Sequence, residues 1–96
     1  MAAEKLSDQA VQEKLSGLQG WALREGKLYR ELQFKDFNEA WGFMNRVALY
    51  AEQLDHHPEW FNVYRTVRIE LATHDAGGIT DLDFTLAEKI DALQPA

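Results

Sequence analysis

The stretch FNEAWGFMNRVALYA, residues 37–51, decides the fold because it carries the strongest periodic pattern in the chain. Its apolar residues recur at three- and four-residue spacing and trace one helical stripe: Phe37, Ala40, Trp41, Met44, Val47, Ala48 and Ala51. Asp36 with Glu39 three residues later is typical of a helix start. Pro58 sets the far limit, because a proline pushes the residue before it out of the helical region. The sequence therefore predicts a long central helix.

A pair of strands is predicted on either side of this helix. Before it, residues 21–24 and 27–34 alternate apolar and polar side chains across a two-residue turn, which is typical of a β-hairpin. Arg30 is the one charged residue on the apolar side of this pair. After the helix, residues 61–63 and the alternating run 67–74 predict a second pair, whose last residue lies on the polar face.

A helix is predicted near each end of the chain. Ser7 is a good N-cap for the first, whose apolar stripe continues until Gly20. Thr80 with Asp83 three residues later starts the last one. The order α-β-β-α-β-β-α predicts an α+β fold, in which helices cover one face of a four-stranded antiparallel sheet.

Composition excludes several classes of protein. A chain of 96 residues has room for one domain, which we expect to span residues 1–96. The absence of cysteine excludes disulfides and thiolate metal sites. A net charge of −6 argues against sequence-independent binding to nucleic acid and to anionic membranes. No apolar run is long enough to span a membrane and no export signal is visible, so we expect a cytoplasmic protein. We expect neither nucleic acid nor a membrane as its partner.

All three histidines lie near the ends of predicted elements. His56 and His57 are adjacent, between the central helix and the third strand, and His74 ends the fourth strand. An antiparallel fold can bring two such ends to one edge of the sheet, where functional groups are often presented. Histidine exchanges protons near neutral pH, so the pattern permits an acid/base site.

Other interpretations of the histidines stay open on this pattern. Surface or capping histidines without chemistry are commoner than catalytic ones. Zinc is disfavoured, because adjacent rings do not easily reach one tetrahedral ion and the helical His-x-x-x-His spacing is absent. A serine triad is disfavoured, because Ser7 and Ser16 both lie in the first helix. Trp60 could form the wall of a pocket for a flat heterocycle, whereas core packing is favoured for Phe61.

Several motifs together resemble one known family. They are EQLDHHPEWFNVY at 52–64, THD at 73–75, GIT at 78–80, FKDFN at 34–38 and the GFM-x-RVAL pattern at 42–49. Between Phe34 and Ala87 the chain resembles the pterin-4a-carbinolamine dehydratases. This resemblance implies the same α+β fold and the dehydration of 4a-hydroxytetrahydropterin to quinonoid dihydropterin, which recycles the pterin used by aromatic amino acid hydroxylases. It also implies that no metal and no bound cofactor are needed, since the pterin is the substrate.

The resemblance also implies roles for individual residues. His56, His57 and His74 would be the catalytic histidines, and all three would contact the pterin. Losing water from C4a needs one acid and one base, which we assign to His56 and His74, while His57 would hold the pterin. The other residues implied to line the pterin pocket are Pro58, Trp60, Thr73, Asp75 and Ala76, and the supporting polar groups are Glu52 and Asp83. Leu82 stands where many members carry an arginine, so that cation is missing here.

Further expectations concern partners and stability. The central helix is apolar around much of its girth and short strands leave free edges, so we expect a homo-oligomer, a dimer or a tetramer. The alternative is a protein-binding module, since some relatives of this family bind transcription factors, and Trp41, Tyr50 and Met44 would then serve a partner helix. A second alternative is a regulator of an aromatic amino acid hydroxylase, which would then be its partner. His56 and His57 lie outside the apolar stripes and His74 lies on the polar strand face, so we expect all three to behave as surface residues. Replacing any of them should change stability by no more than about 0.5 kcal/mol, or up to about 1 kcal/mol if one caps the central helix.

Overall fold

The computed structural model describes residues 3–94 and arranges them as helices on one face of a sheet. Residues 1–2 and 95–96, the two ends of the predicted domain, lie outside the described residues. The elements are α1 (Asp8–Leu15), β1 (Ala22–Arg24), β2 (Lys27–Gln33), α2 (Phe37–Leu54), β3 (Glu59–Val63), β4 (Thr66–Leu71), a 3-10 turn (His74–Ala76) and α3 (Asp81–Ala92). The four strands pair antiparallel in the order β1-β2-β4-β3. The predicted α+β fold and its element order are confirmed.

The predicted helix starts are confirmed at the level of individual hydrogen bonds. Ser7 accepts a hydrogen bond from the Ala10 N–H, and Asp36 accepts one from the Glu39 N–H. α3 begins with a complete capping box, formed between Thr80 and Asp83. The predicted extent of the first helix is wrong, because α1 ends at Leu15 and the residues from there to Gly20 form turns.

The predicted face of α2 is partly wrong. The buried side is formed by Ala40, Phe43, Met44, Val47 and Ala51. Phe43, which falls off the predicted stripe, packs against the Phe34 ring with 4.8 Å between ring centroids. Phe37 and Trp41 are instead about half exposed. A helix that is apolar around much of its girth can bury only the side that faces the sheet, and spacing alone does not say which side that is.

The inner face of the sheet forms the core against the helices. Its buried side chains are Leu28, Leu32, Val67, Ile69 and Leu71. Arg30 belongs to this side, and its guanidinium lies 2.6 Å from the Asp91 carboxylate on α3. Trp21 Nε1 donates to the same carboxylate at 2.9 Å. Arg30, the one charged residue on the apolar side of the first strand pair, therefore links the sheet to α3 through Asp91.

The last predicted strand is too long. β4 ends at Leu71, and His74 begins the 3-10 turn that follows, so His74 is not on the polar face of the strand. Within the chain from residue 3 to residue 94, no helix is both long and apolar enough to cross a membrane.

Candidate active site

The first two histidines are placed by the way α2 ends. Asp55 closes the helix in the left-handed conformation (φ 49°, ψ 44°), which aspartate tolerates better than most residues. The N–H of His56 then donates back to the Ala51 carbonyl at 3.0 Å. Pro58 leads directly into β3. The histidine pair is thus fixed between a closed helix end and a strand.

The third histidine lies on a small closed loop after β4. Thr73 and Gly78 pair across the base of this loop, where the Thr73 N–H donates to the Gly78 carbonyl at 2.8 Å. Gly77 closes the 3-10 turn with φ 77°, a conformation that glycine adopts without strain. His74 therefore projects from a short loop whose two ends are joined.

These two segments border one open cleft of about 260 Å³. It is lined by Asp55, His56, His57, Ala72, Thr73, His74 and Asp75. Three of the pocket residues implied by the resemblance are not part of this lining, namely Pro58, Trp60 and Ala76. Trp60 is partly buried and packs against the core. The cleft thus brings together the three histidines, Thr73 and Asp75.

His56 belongs to a buried hydrogen-bond network. The residue is only 8% exposed, and its Nε2 lies 2.5 Å from Oδ1 of Asp83, which is fully buried. Asp83 Oδ2 accepts hydrogen bonds from the Thr73 hydroxyl and from the Thr80 N–H, both at 2.9 Å. One carboxylate therefore caps α3 and holds His56 and Thr73.

This burial corrects the expectation that His56 is a surface residue. The position lies outside every apolar stripe, yet the ring is buried and pairs with Asp83 in the first turn of α3. Periodicity within one helix carries no information about a contact between the ends of two helices.

His57 forms a second, solvent-exposed pair with a carboxylate. Its Nε2 lies 2.6 Å from Glu52 Oε1 on the last turn of α2. The two side chains are 56% and 77% exposed, so water reaches both groups. His57 borders the cleft, and both groups of the pair are accessible to solvent.

His74 is 72% exposed and faces a carboxylate that the sequence interpretation missed. Its Nε2 lies 3.5 Å from Oε2 of Glu59, and Lys27 Nζ donates to Glu59 Oε1 at 3.1 Å. The hydrogen bond from Lys27 lowers the pKa of Glu59, and the same bond raises the pKa of Lys27. The alternating pattern could have pointed to Glu59. It is the first residue of β3 on the outer face of the sheet, and β3 pairs with β4, the strand that leads to His74.

Each histidine of the cleft lies next to one carboxylate. Among residues 3–94, no group of three or more histidine, aspartate or glutamate side chains is arranged to hold a metal ion. A carboxylate at one ring nitrogen orients a histidine and leaves the other nitrogen for chemistry. The fold and the cleft therefore define an α+β protein in which three histidines, each beside a carboxylate, line one cleft.

Comparison with known proteins identifies the family. The family model for pterin 4 alpha carbinolamine dehydratase matches residues 4–93, and the chain belongs to this family of carbon–oxygen lyases. A provisionally named pterin-4-alpha-carbinolamine dehydratase of Bradyrhizobium sp. (strain ORS 278) is 57% identical over 95 residues, covering 97% of this chain and 95% of the relative. One from Chelativorans sp. (strain BNC1) is 53% identical over 94 residues, covering 96% of each chain.

A solved structure agrees with these relatives. The crystal structure of a transcriptional coactivator/pterin dehydratase from Brucella melitensis has a TM-score of 0.92 and 46% sequence identity, covering 96% of this chain and 100% of that one. The resemblance seen in the sequence is confirmed, as is the prediction that the chain belongs to a family of enzymes.

Proposed function

We propose that this protein dehydrates 4a-hydroxytetrahydropterin to quinonoid dihydropterin. The bond from C4a to the hydroxyl oxygen breaks, N5 loses its proton, a C4a–N5 double bond forms and one water leaves. The reaction recycles the pterin that aromatic amino acid hydroxylases use. The observation that supports this proposal is the single cleft lined by His56, His57 and His74 in a chain of this family.

The proton transfers are assigned to His74 and His56. His74 is open to the cleft, so its ring can reach a bound substrate. His56 Nε2 is occupied by Asp83, so this histidine would act through Nδ1 while the buried carboxylate fixes its ring. His57, supported by Glu52, would hold the pterin at the mouth of the cleft. No bound cofactor is required in this scheme, because the pterin is the substrate.

A stopped-flow assay tests the proposed reaction. The decay of 4a-hydroxytetrahydropterin is followed with and without the protein, and catalytic amounts of protein should accelerate it. A decay rate independent of protein concentration would contradict the proposal.

Activity should not depend on a metal ion. The carboxylates at the histidines act as partners of the rings, and no three of these groups in residues 3–94 are arranged to share an ion. We expect the dehydratase rate to be unchanged after exhaustive treatment with EDTA and removal of the chelator. Loss of activity that zinc restores would refute the acid/base assignment.

We also propose that the protein is a homo-oligomer that assembles through the outer face of α2. Phe37 and Trp41 stack on this face and are about half exposed, and Leu49 is 67% exposed. Met44, expected on this surface, is instead buried. Light scattering at micromolar concentration should give a mass of at least two chains, and Trp41→Glu should reduce it. A mass of one chain, 11.0 kDa, for the unmodified protein would refute the proposal.

The same surface supports a second candidate function. The Brucella melitensis relative is described as a coactivator as well as a dehydratase, and an exposed apolar helix face also fits a partner helix. The dehydratase assay separates the two functions. A protein with all three histidines intact that binds a partner yet leaves the pterin decay rate unchanged would favour the binding function.

A further inference from the structure

Every histidine of the chain has a carboxylate near its Nε2, and one of these carboxylates has no role in the scheme above. The pairs are His56 with Asp83, His57 with Glu52, and His74 with Glu59. The first two carboxylates were expected to support the site. Glu59 was not, although its Oε2 is the carboxylate oxygen that faces His74.

Glu59 is held in place by a residue from the far side of β4. The sheet order puts β2 and β3 on either side of β4, so the Lys27–Glu59 pair bridges the end of β4 on the outer face of the sheet. The Lys27 ammonium lies 3.1 Å from Oε1 and 2.9 Å from Oε2. His74 follows the end of β4 by three residues. The bridge thus lies directly beside the segment that carries His74.

The Oε2 atom of Glu59 is poised to accept a further hydrogen bond. It is shielded from solvent, and besides its 2.9 Å ion-pair contact with Lys27 it has no hydrogen bond of good geometry among the described residues. The nearest ring nitrogen is His74 Nε2 at 3.5 Å, which is slightly too long for a hydrogen bond. The exposed His74 side chain can close this short gap in the protein without substrate.

We propose that Glu59, anchored by Lys27, is a positioning residue for His74. Its carboxylate accepts the Nε2–H of the ring, which fixes one tautomer and directs Nδ1 toward the substrate. Glu59 is ionised at neutral pH, and the hydrogen bond from Lys27 lowers its pKa further. Only the expected effect on rate rests on the proposed dehydratase function. The Glu59–His74 pairing is a property of the protein without substrate.

Glu59→Gln tests the proposal, with Glu70→Gln as the matched control. Glu70 lies directly opposite Glu59 in the strand register, so both substitutions remove one carboxylate from the same sheet face. Loss of a hydrogen bond to a charged group changes an equilibrium or rate constant roughly ten-fold or more. We therefore expect Glu59→Gln to lower kcat about ten-fold with little change in KM or melting temperature. Glu70→Gln should behave like the unmodified protein.

Histidine side-chain ¹⁵N NMR provides a reading that a purely structural role would not change. A free neutral imidazole is a mixture in which Nε2–H already predominates. At alkaline pH, His74 should therefore populate Nε2–H almost exclusively, and Glu59→Gln should restore the Nδ1–H share of a free imidazole. Lys27→Gln should change the His74 spectrum in the same direction, and Lys27→Arg should preserve it.

Two results would overturn the inference. One is an unchanged His74 tautomer in Glu59→Gln, and the other is a kcat loss of the same size in Glu70→Gln. The NMR reading needs no substrate, so it decides on the pairing even if the unmodified protein does not dehydrate the pterin. Failure of the proposed function would show instead as an inactive unmodified protein with an intact Nε2–H tautomer.

Discussion

Replacing His56 with alanine should destabilise the protein by about 3 kcal/mol, because it leaves the buried Asp83 carboxylate without its ring partner. The bonds from Thr73 and Thr80 remain, which keeps the loss at the low end of the range for broken buried pairs. For a domain of this size, each kcal/mol lowers the melting temperature by about 4–8 °C. We therefore expect a drop of roughly 12–24 °C in thermal melts followed by circular dichroism.

The neighbouring histidine is the matched control for this experiment. His57 is 56% exposed and its partner Glu52 is more exposed still, so His57→Ala should change the free energy of unfolding by no more than about 0.5 kcal/mol. Equal melting temperatures for His56→Ala and the unmodified protein would show that Asp83 does not depend on the ring. The rate per folded molecule, measured well below the melting transition, should also fall about 10²-fold if His56 transfers a proton.

The fold was predictable because its signals are local. Helix caps such as Ser7, Asp36 and Thr80 satisfy N–H groups within one turn, so the residues at three-residue spacing specify them directly. The two hairpins follow from alternation, which fixes the face of each strand. The rotation of α2 was not predictable in the same way, because Phe43 and Trp41 are both large and apolar and only the sheet decides which of them is buried.

The candidate site was predictable as a set of residues but not as a set of contacts. The positions of His56 and His74 at element ends were sufficient to suggest one site, and the cleft lined by both agrees with that suggestion. The burial of His56 depends on Asp83, which is 27 positions away. The Lys27–Glu59 pair depends on a sheet order that places β4 between two strands that are distant in sequence. Contacts of this kind arise only from tertiary packing.

His74→Ala should show the opposite behaviour to His56→Ala, with a large loss of rate and no loss of stability. The side chain is 72% exposed and lies on a loop closed by its own backbone pairing, so its removal should change the free energy of unfolding by less than about 0.5 kcal/mol. A positioned proton transfer typically contributes about 10²–10⁴-fold. We expect kcat to fall at least about 10²-fold with a smaller change in KM, whereas His57→Ala should act mainly through KM.

Steady-state rates and thermal melts on the same preparations separate catalysis from folding for His74. Because the side chain borders an open cleft, added imidazole should reach the position left by alanine and restore part of the His74→Ala rate. It should not restore a variant that has lost its fold. If His74→Ala instead melts many degrees lower and loses activity only in proportion to the unfolded fraction, His74 is structural. In that case His56 Nδ1 would face the substrate without its proposed partner, and the two-histidine mechanism would be wrong.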